Sequence, residues 1–185
     1  GFAGKWNHFD LSLRIPLIVM NPQAPEAARG AIASAMALNA DVPATILDLA
    51  GIEPGGAIEG RSLAPFTRGE TPEQWRTDFF CEHLMDNRSI PKYEGVHGER
   101  FVYARYFEQK PPYEFLHDLK ANPDQTRNFA GDPAYAATLE SMRARCDELV
   151  ASHGGPYAPQ PRAAATRPAR QAARQSPPPK PGPSR

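Results

Sequence analysis

Long apolar runs are missing from this sequence. No stretch approaches the ~20 consecutive apolar residues that a membrane-spanning helix needs, so no membrane partner is read. Cysteine is scarce: only Cys81 and Cys146 occur, and they form no Cys-x-x-Cys motif. Two buried thiols are expected rather than a disulfide. The five histidines, His8, His83, His97, His117 and His153, lack ligand spacing, so no metal site is assigned. Acidic residues are missing from the last thirty positions, where Pro156 to Arg185 hold six Lys/Arg and nine Pro. That tail has no apolar face to offset the entropy of ordering, and disorder is expected. A solvated basic tail is the reading, not a nucleic-acid or membrane ligand.

What is present suits one folded body followed by that tail. The 185 residues carry zero formal net charge, but the first 155 hold 15 basic and 21 acidic side chains, a net of −6. A short helix is expected from Trp6 to Leu13, with Asp10 and Arg14 spaced for a charge pair. Pro16 biases Ile15 away from helix, and Leu17 to Met20 reads as a strand buried on both faces. Ala31 to Leu38 fits either a strand or a short helix. Asp41 and Pro43 signal a helix start, and the helix is expected to bury Ile46, Leu47 and Leu49 before Gly51 ends it. Arg61 to Phe66 reads as a helical turn ending by Gly69.

After Trp75-Arg76 the pattern changes to short aromatic and β-branched runs. Asp78–Leu84, Glu94–His97, Arg100–Phe107 and Tyr113–Leu119 predict three or four antiparallel strands. Asp132-Pro133 opens a helix to about Ala151, with Tyr135, Leu139, Met142, Cys146 and Leu149 on one stripe. Strands closed by one helix make a small α+β unit.

Five segments carry a family resemblance. Gly4-Lys5-Trp6-Asn7-His8-Phe9-Asp10-Leu11-Ser12-Leu13-Arg14-Ile15-Pro16-Leu17-Ile18 resembles a Gly-Lys turn leading to Tyr/Phe-Glu/Asp-x-x-x-Arg-x-Pro-Leu-Ile. Asp41 to Gly51 is similar to an Asp-x-x-Pro-Thr-Leu-Leu-x-Leu-Ala-Gly helix, and Gly60 to Pro65 to a Gly-x-Ser-Leu-x-Pro turn. Gly95 to Tyr106 resembles a Val-Arg-Thr-x-x-Tyr-Lys-Tyr-Ile strand pair. Leu116 to Ala130 resembles Leu-Tyr-Asp-Leu-x-x-Asp-Pro-x-Glu-x-x-Asn-Leu-Ala. Their order and spacing identify the chain as similar to the C-terminal region of the sulfatase family, within the alkaline-phosphatase superfamily. His97, Gly98, Val102 and His117 depart from the family pattern.

The resemblance implies an α/β fold. Residues 1–75 would end a large mixed-sheet domain, 76–154 would form a small α+β subdomain, and 155–185 would be the tail. It implies hydrolysis of sulfate esters of a small molecule or carbohydrate, using calcium and a formylglycine. Neither cysteine begins the Cys/Ser-x-Pro-x-Arg signature from which formylglycine forms. The nucleophile and calcium ligands are therefore expected upstream of Gly1, and the isolated chain is expected to be inactive. The absence of a signal peptide says little about compartment in such a fragment.

Lys5 is the residue the resemblance places on the sulfate, as a point charge facing oxygens that gain negative charge in the transition state. On composition alone a lone Lys is a solvated side chain. Asp10 and Arg14 are read as a structural pair near the site, and His8 as a residue facing either the cleft or solvent. His83, Lys92 and His97 lie on strand ends and a loop of the subdomain that abuts the cleft in the family. They are candidate substrate contacts, with solvated polar side chains on loops as the plainer reading. Two rival functions share the pattern: a phosphonate monoester or phosphodiester hydrolase, and a non-catalytic binding module on the same scaffold.

Overall fold

A computed structural model describes residues 6–158 apart from 57 and 88. Lys5 and most of the expected tail therefore lie outside the described residues. Four strands, β1 (Asp78–His83), β2 (Tyr93–Gly98), β3 (Phe101–Tyr106) and β4 (Tyr113–Asp118), form an antiparallel meander in sequence order. Each begins or ends within a residue or two of its predicted run. Connections of nine, two and six residues join consecutive strands, as local antiparallel pairing permits.

Period-two alternation gives the sheet two different faces. The register Phe80↔Val96, Val96↔Tyr103 and Tyr103↔Leu116 lines up one apolar face. A 3₁₀ turn at Pro133–Tyr135, capped by the Asp132 side chain accepting from the Ala134 N–H, leads into a helix over Ala136–Ser152. That helix lays Leu139, Cys146 and Val150 on Val96, Tyr103 and Leu116, with Phe129 sealing one end. The predicted stripe is close, with Val150 added and Met142 and Leu149 only partly buried. Arg145 clamps the helix to Asp78, and Arg105 reaches both Glu94 and Asp147. The segment after β4 covers its edge: Asn128 accepts from the Leu116 N–H and donates to the Glu114 carbonyl. A free sheet edge is thereby blunted.

The opposite face aligns Phe79, Cys81 and His83 with His97, Gly95 and Tyr93. Beyond them stand Val102, Ala104 and Tyr106, then His117, Phe115 and Tyr113. Among the described residues no long helix covers this face. The N-terminal segment does, with Leu13, the last residue of a single helical turn at Asp10–Leu13, packed against its apolar centre. The expected helix from Trp6 shrinks to that one turn.

Before the sheet, a helix over Asp41–Leu49 and a turn over Ala64–Thr67 pack together. Gly51 at φ +67° ends the first, as expected of a left-handed terminal residue. Its inward side is not the predicted one: Asp41, Ala44 and Thr45 are buried, while Ile46 is 62% exposed and Leu49 is also exposed. Polar bolts decide this. Buried Asp41 accepts from the backbone N–H groups of Leu38 and Arg61 and takes the Arg76 guanidinium in a fork at 2.5 and 2.7 Å. Thr45 receives the Leu63 N–H at 2.8 Å. These bonds turn the small residues inward and the branched aliphatics outward.

The second correction is Leu17 to Met20. It forms no strand, and Ile18 is 90% exposed. An extended apolar segment is stable only with ladder partners and covered faces, and the described residues supply neither. Ala31 to Leu38 is neither strand nor helix, and Ile32 is 97% exposed. The two thiols are free and buried as expected. The first residues of the expected tail, Pro156 to Ala158, are described, and Tyr157 is not idle. Its ring lies 5.8 Å from that of Phe107 and 5.3 Å from the Lys92 ammonium.

Candidate functional site

The sheet face under the N-terminal segment gathers four imidazoles from distant parts of the chain: His8, His83, His97 and His117. Strand parity explains the last three, because positions 83, 97 and 117 all point to that face. His8 arrives on the N-terminal segment and is fully buried between Phe9, Phe115 and His117.

The hydrogen bonds around His8 admit one economical arrangement of protons. His117 Nδ1 lies 3.0 Å from the Arg127 carbonyl, which only accepts, so Nδ1 carries hydrogen. Neutral His117 then has a bare Nε2. His8 Nε2, 3.0 Å away, donates to it. His8 Nδ1 is therefore an acceptor, and the Tyr106 hydroxyl donates to it at 3.0 Å. The chain Tyr106 O–H to His8 to His117 to the Arg127 carbonyl is complete with both rings neutral. Burial pushes His8 down to about 3, with repulsion from His117 and His97 adding to it. Burial also lowers His117, against the bond to Arg127. Removing a charge from water in this apolar setting costs more than any partner here returns.

Two residues on, Asp10 makes a second junction. Its carboxylate accepts from His97 Nε2 at 2.5 Å, and its backbone N–H donates to Gln125 Oε1 at 2.6 Å. Gln125 sits at φ +50°, a conformation uncommon outside glycine. Arg14 pairs with Asp10 only at 3.8 Å, and its side chain is largely in solvent. The predicted Asp10–Arg14 pair exists, but His97 is the closer partner.

Three candidate substrate contacts, His83, Lys92 and His97, are not brought together. His83 faces Tyr93 across the β1–β2 ladder, while His97 lies four residues further along β2. That is about 13 Å at the usual rise per residue. Lys92 is buried between Asp86 and Glu108 at 3.0 and 2.8 Å, and those partners hold its pKa above the usual lysine value. His83 differs: both of its ring nitrogens are buried without a hydrogen-bond partner among the described residues. The ring of Trp6, 44% exposed, meets it edge-on at 5.4 Å.

Sequence reasoning did not single out Tyr106, His117 or Gln125 as supports of the site. The available signal was His117, a polar ring on the buried parity of an apolar strand. Burial pushes both cysteine thiols up to about 12, which disfavours the thiolate near neutral pH. Among the described residues no cluster of three or more His, Cys, Asp or Glu side chains is placed to hold a metal ion.

Known proteins match this chain along most of its length. The family described as "N-sulphoglucosamine sulphohydrolase, C-terminal" matches residues 1–152. The N-acetylglucosamine-6-O-sulfatase of Bacteroides thetaiotaomicron is 30% identical over 157 residues, which cover 80% of this chain and 28% of that protein. Among solved structures, one in complex with its substrate D-glucosamine-2-N,6-O-disulfate aligns with TM-score 0.67 and 27% identity, covering 76% of this chain and 28% of the other. The phosphonate monoester hydrolase of Silicibacter pomeroyi aligns with TM-score 0.70 and 28% identity, over 80% and 31%. The chain thus spans less than a third of the length of these relatives. The five motif segments, the four-stranded meander with its closing helix and the family match agree, and the chain belongs to the sulfatase family of the alkaline-phosphatase superfamily, whose C-terminal region it represents.

Proposed function

We propose that this chain is the C-terminal part of a hydrolase that cleaves sulfate esters of an amino sugar. The family match over residues 1–152 carries the reading. The sulfated glucosamine bound by one structural relative and the substrate named for the Bacteroides relative support the sugar class. In this reading residues 1–75 complete a larger α/β domain. Its missing neighbours would cover Ile18, Met20 and Ile32, whose exposure is otherwise costly. Residues 76–154 form the subdomain beside the cleft.

Lys5 is assigned to the sulfate. Hydrolysis loads negative charge onto the sulfuryl and leaving oxygens, and a fixed ammonium stabilises that charge more in the transition state than in the ground state. Of the substrate-contact candidates, His83 has both ring nitrogens without a partner among the described residues. A sugar hydroxyl or sulfate oxygen would satisfy one of them. Lys92, held by two carboxylates, has less freedom for such a role. The described residues do not fit a calcium cage. Calcium and a formylglycine nucleophile, both implied by the family, would be held by other residues.

Assay of the full-length protein tests the reading. Turnover of glucosamine 6-sulfate is expected, and Lys5→Ala should lower it roughly a hundredfold. The isolated chain should leave an aryl sulfate untouched. The likeness to a phosphonate monoester hydrolase favours a second reading, hydrolysis of phosphonate or phosphate esters. Faster turnover of a phenyl phosphonate than of any sulfate ester would select it.

A further inference from the structure

Residues 8–10 are tied to the rest of the fold more densely than a coil covering a sheet requires. Within three positions they reach β3 through Tyr106, β4 through His117, β2 through His97 and the loop after β4 through Gln125. Every one of those bonds is 3.0 Å or shorter. The contrast lies a few residues on, where Leu17 to Met20 is exposed. Gln125 holds a left-handed backbone conformation while its side chain meets the Asp10 N–H. Non-glycine residues persist in such conformations where the surroundings over-determine them, and these sites cluster where geometry must be held.

We propose that His8 and His117, joined with Tyr106 in one buried hydrogen-bond chain, are positioning residues that hold the segment carrying Lys5 at the orientation catalysis needs. The inference rests on the assignment of Lys5 to the sulfate. Lys5 precedes His8 by three residues, so at full extension their Cα atoms stand at most about 11 Å apart. An anchor this close limits where the Lys5 backbone can go. The anchor is also directional, since each hydrogen in the chain has one donor and one acceptor, and a rotated His8 ring loses two bonds together. His97, through Asp10, supplies a second fixed point and stops the segment pivoting about the first. None of these side chains needs to touch the substrate. Their effect passes through the lysine, because a small misplacement of a charge contact is enough to lose much of its effect on rate.

A double-mutant cycle on the full-length enzyme tests this. His8→Ala is expected to lower kcat roughly tenfold with KM changed less than about twofold. In the Lys5→Ala background the same substitution should change kcat by less than about twofold, because the contact it orients is already gone. Equal losses in both backgrounds would overturn the proposal and leave His8 a purely structural residue. If Lys5→Ala itself leaves turnover unchanged, the assignment of Lys5 fails, and the positioning role falls with it. Should His8→Ala not fold, Tyr106→Phe removes a single hydroxyl from the same chain. It should give a smaller kcat loss that also vanishes without Lys5, and an undiminished loss there would count against the proposal.

Discussion

His8 and His117 face each other Nε2 to Nε2 at 3.0 Å across 109 positions of sequence. The contact works only while one nitrogen is bare, and it joins the N-terminal segment to the last strand of the meander. Its dependence on neutral rings gives it a pH signature.

The first prediction concerns that signature. His8 is depressed to about 3 in the fold, from an ordinary value of 6.5, and His117 is depressed in the same direction. The unfolded chain therefore binds more protons than the folded one between those values. Stability is complete above pH 6.5 and declines as pH falls from there toward 3, by at most about 1.4 kcal/mol per pH unit for each group. Melting temperature of the full-length protein, measured from pH 7.5 to 5, should fall on the acid side. His8→Leu should flatten the slope. An unchanged slope would place the acid sensitivity elsewhere.

Asp41→Asn tests the polar bolt under the first long helix. Burial alone would raise the Asp41 carboxyl, but the Arg76 fork and the N–H groups of Arg61 and Leu38 hold it below the ordinary value. Removing the charge leaves the largely buried Arg76 short of its partner. The expected loss is about 3 kcal/mol, read from the urea midpoint. A loss under about 0.5 kcal/mol would show that solvent reaches Arg76 and that the pair is dispensable.

Two glycine substitutions form a matched pair. A Cβ on Gly60 would stand 1.7 Å from the Ala40 carbonyl oxygen, so the backbone that presents Arg61 N–H to Asp41 has to move. Gly60→Ala is expected to destabilise by about 2 kcal/mol or more. Gly55→Ala meets nothing within 4 Å and should stay within about 0.5 kcal/mol of the parent.

Truncation separates Tyr157 from the rest of the tail. Removing residues 159–185 should leave the melting temperature unchanged, because their Pro- and Arg-rich composition offers no large apolar side chain. Cutting after Gly155 also removes the Tyr157 ring from Phe107 and Lys92. A drop of a degree or two is expected for that cut alone.

The family, the strand-forming runs after Trp75 and the closing helix were legible in the sequence, which left the strand count at three or four. Period-two and period-3.6 apolar patterns are local, and so are turn residues and motif spacing, so each could be read within a short window. Which side of Asp41–Leu49 faces inward depended on long-range contacts. There the apolar pattern of Ile46, Leu47 and Leu49 lost to hydrogen bonds that Asp41 and Thr45 make with residues 60 to 76, which no window around the helix contains. Leu17 to Met20 carries a buried strand's composition, but a strand needs partners, and composition does not supply them. The histidine face belongs to the same class. Its four rings stand 8, 83, 97 and 117 positions along the chain, each unremarkable alone, and sheet register with one folded-back segment makes them neighbours. Chemistry that depends on where protons sit between such rings is set by packing and burial, which exist only once the chain has folded.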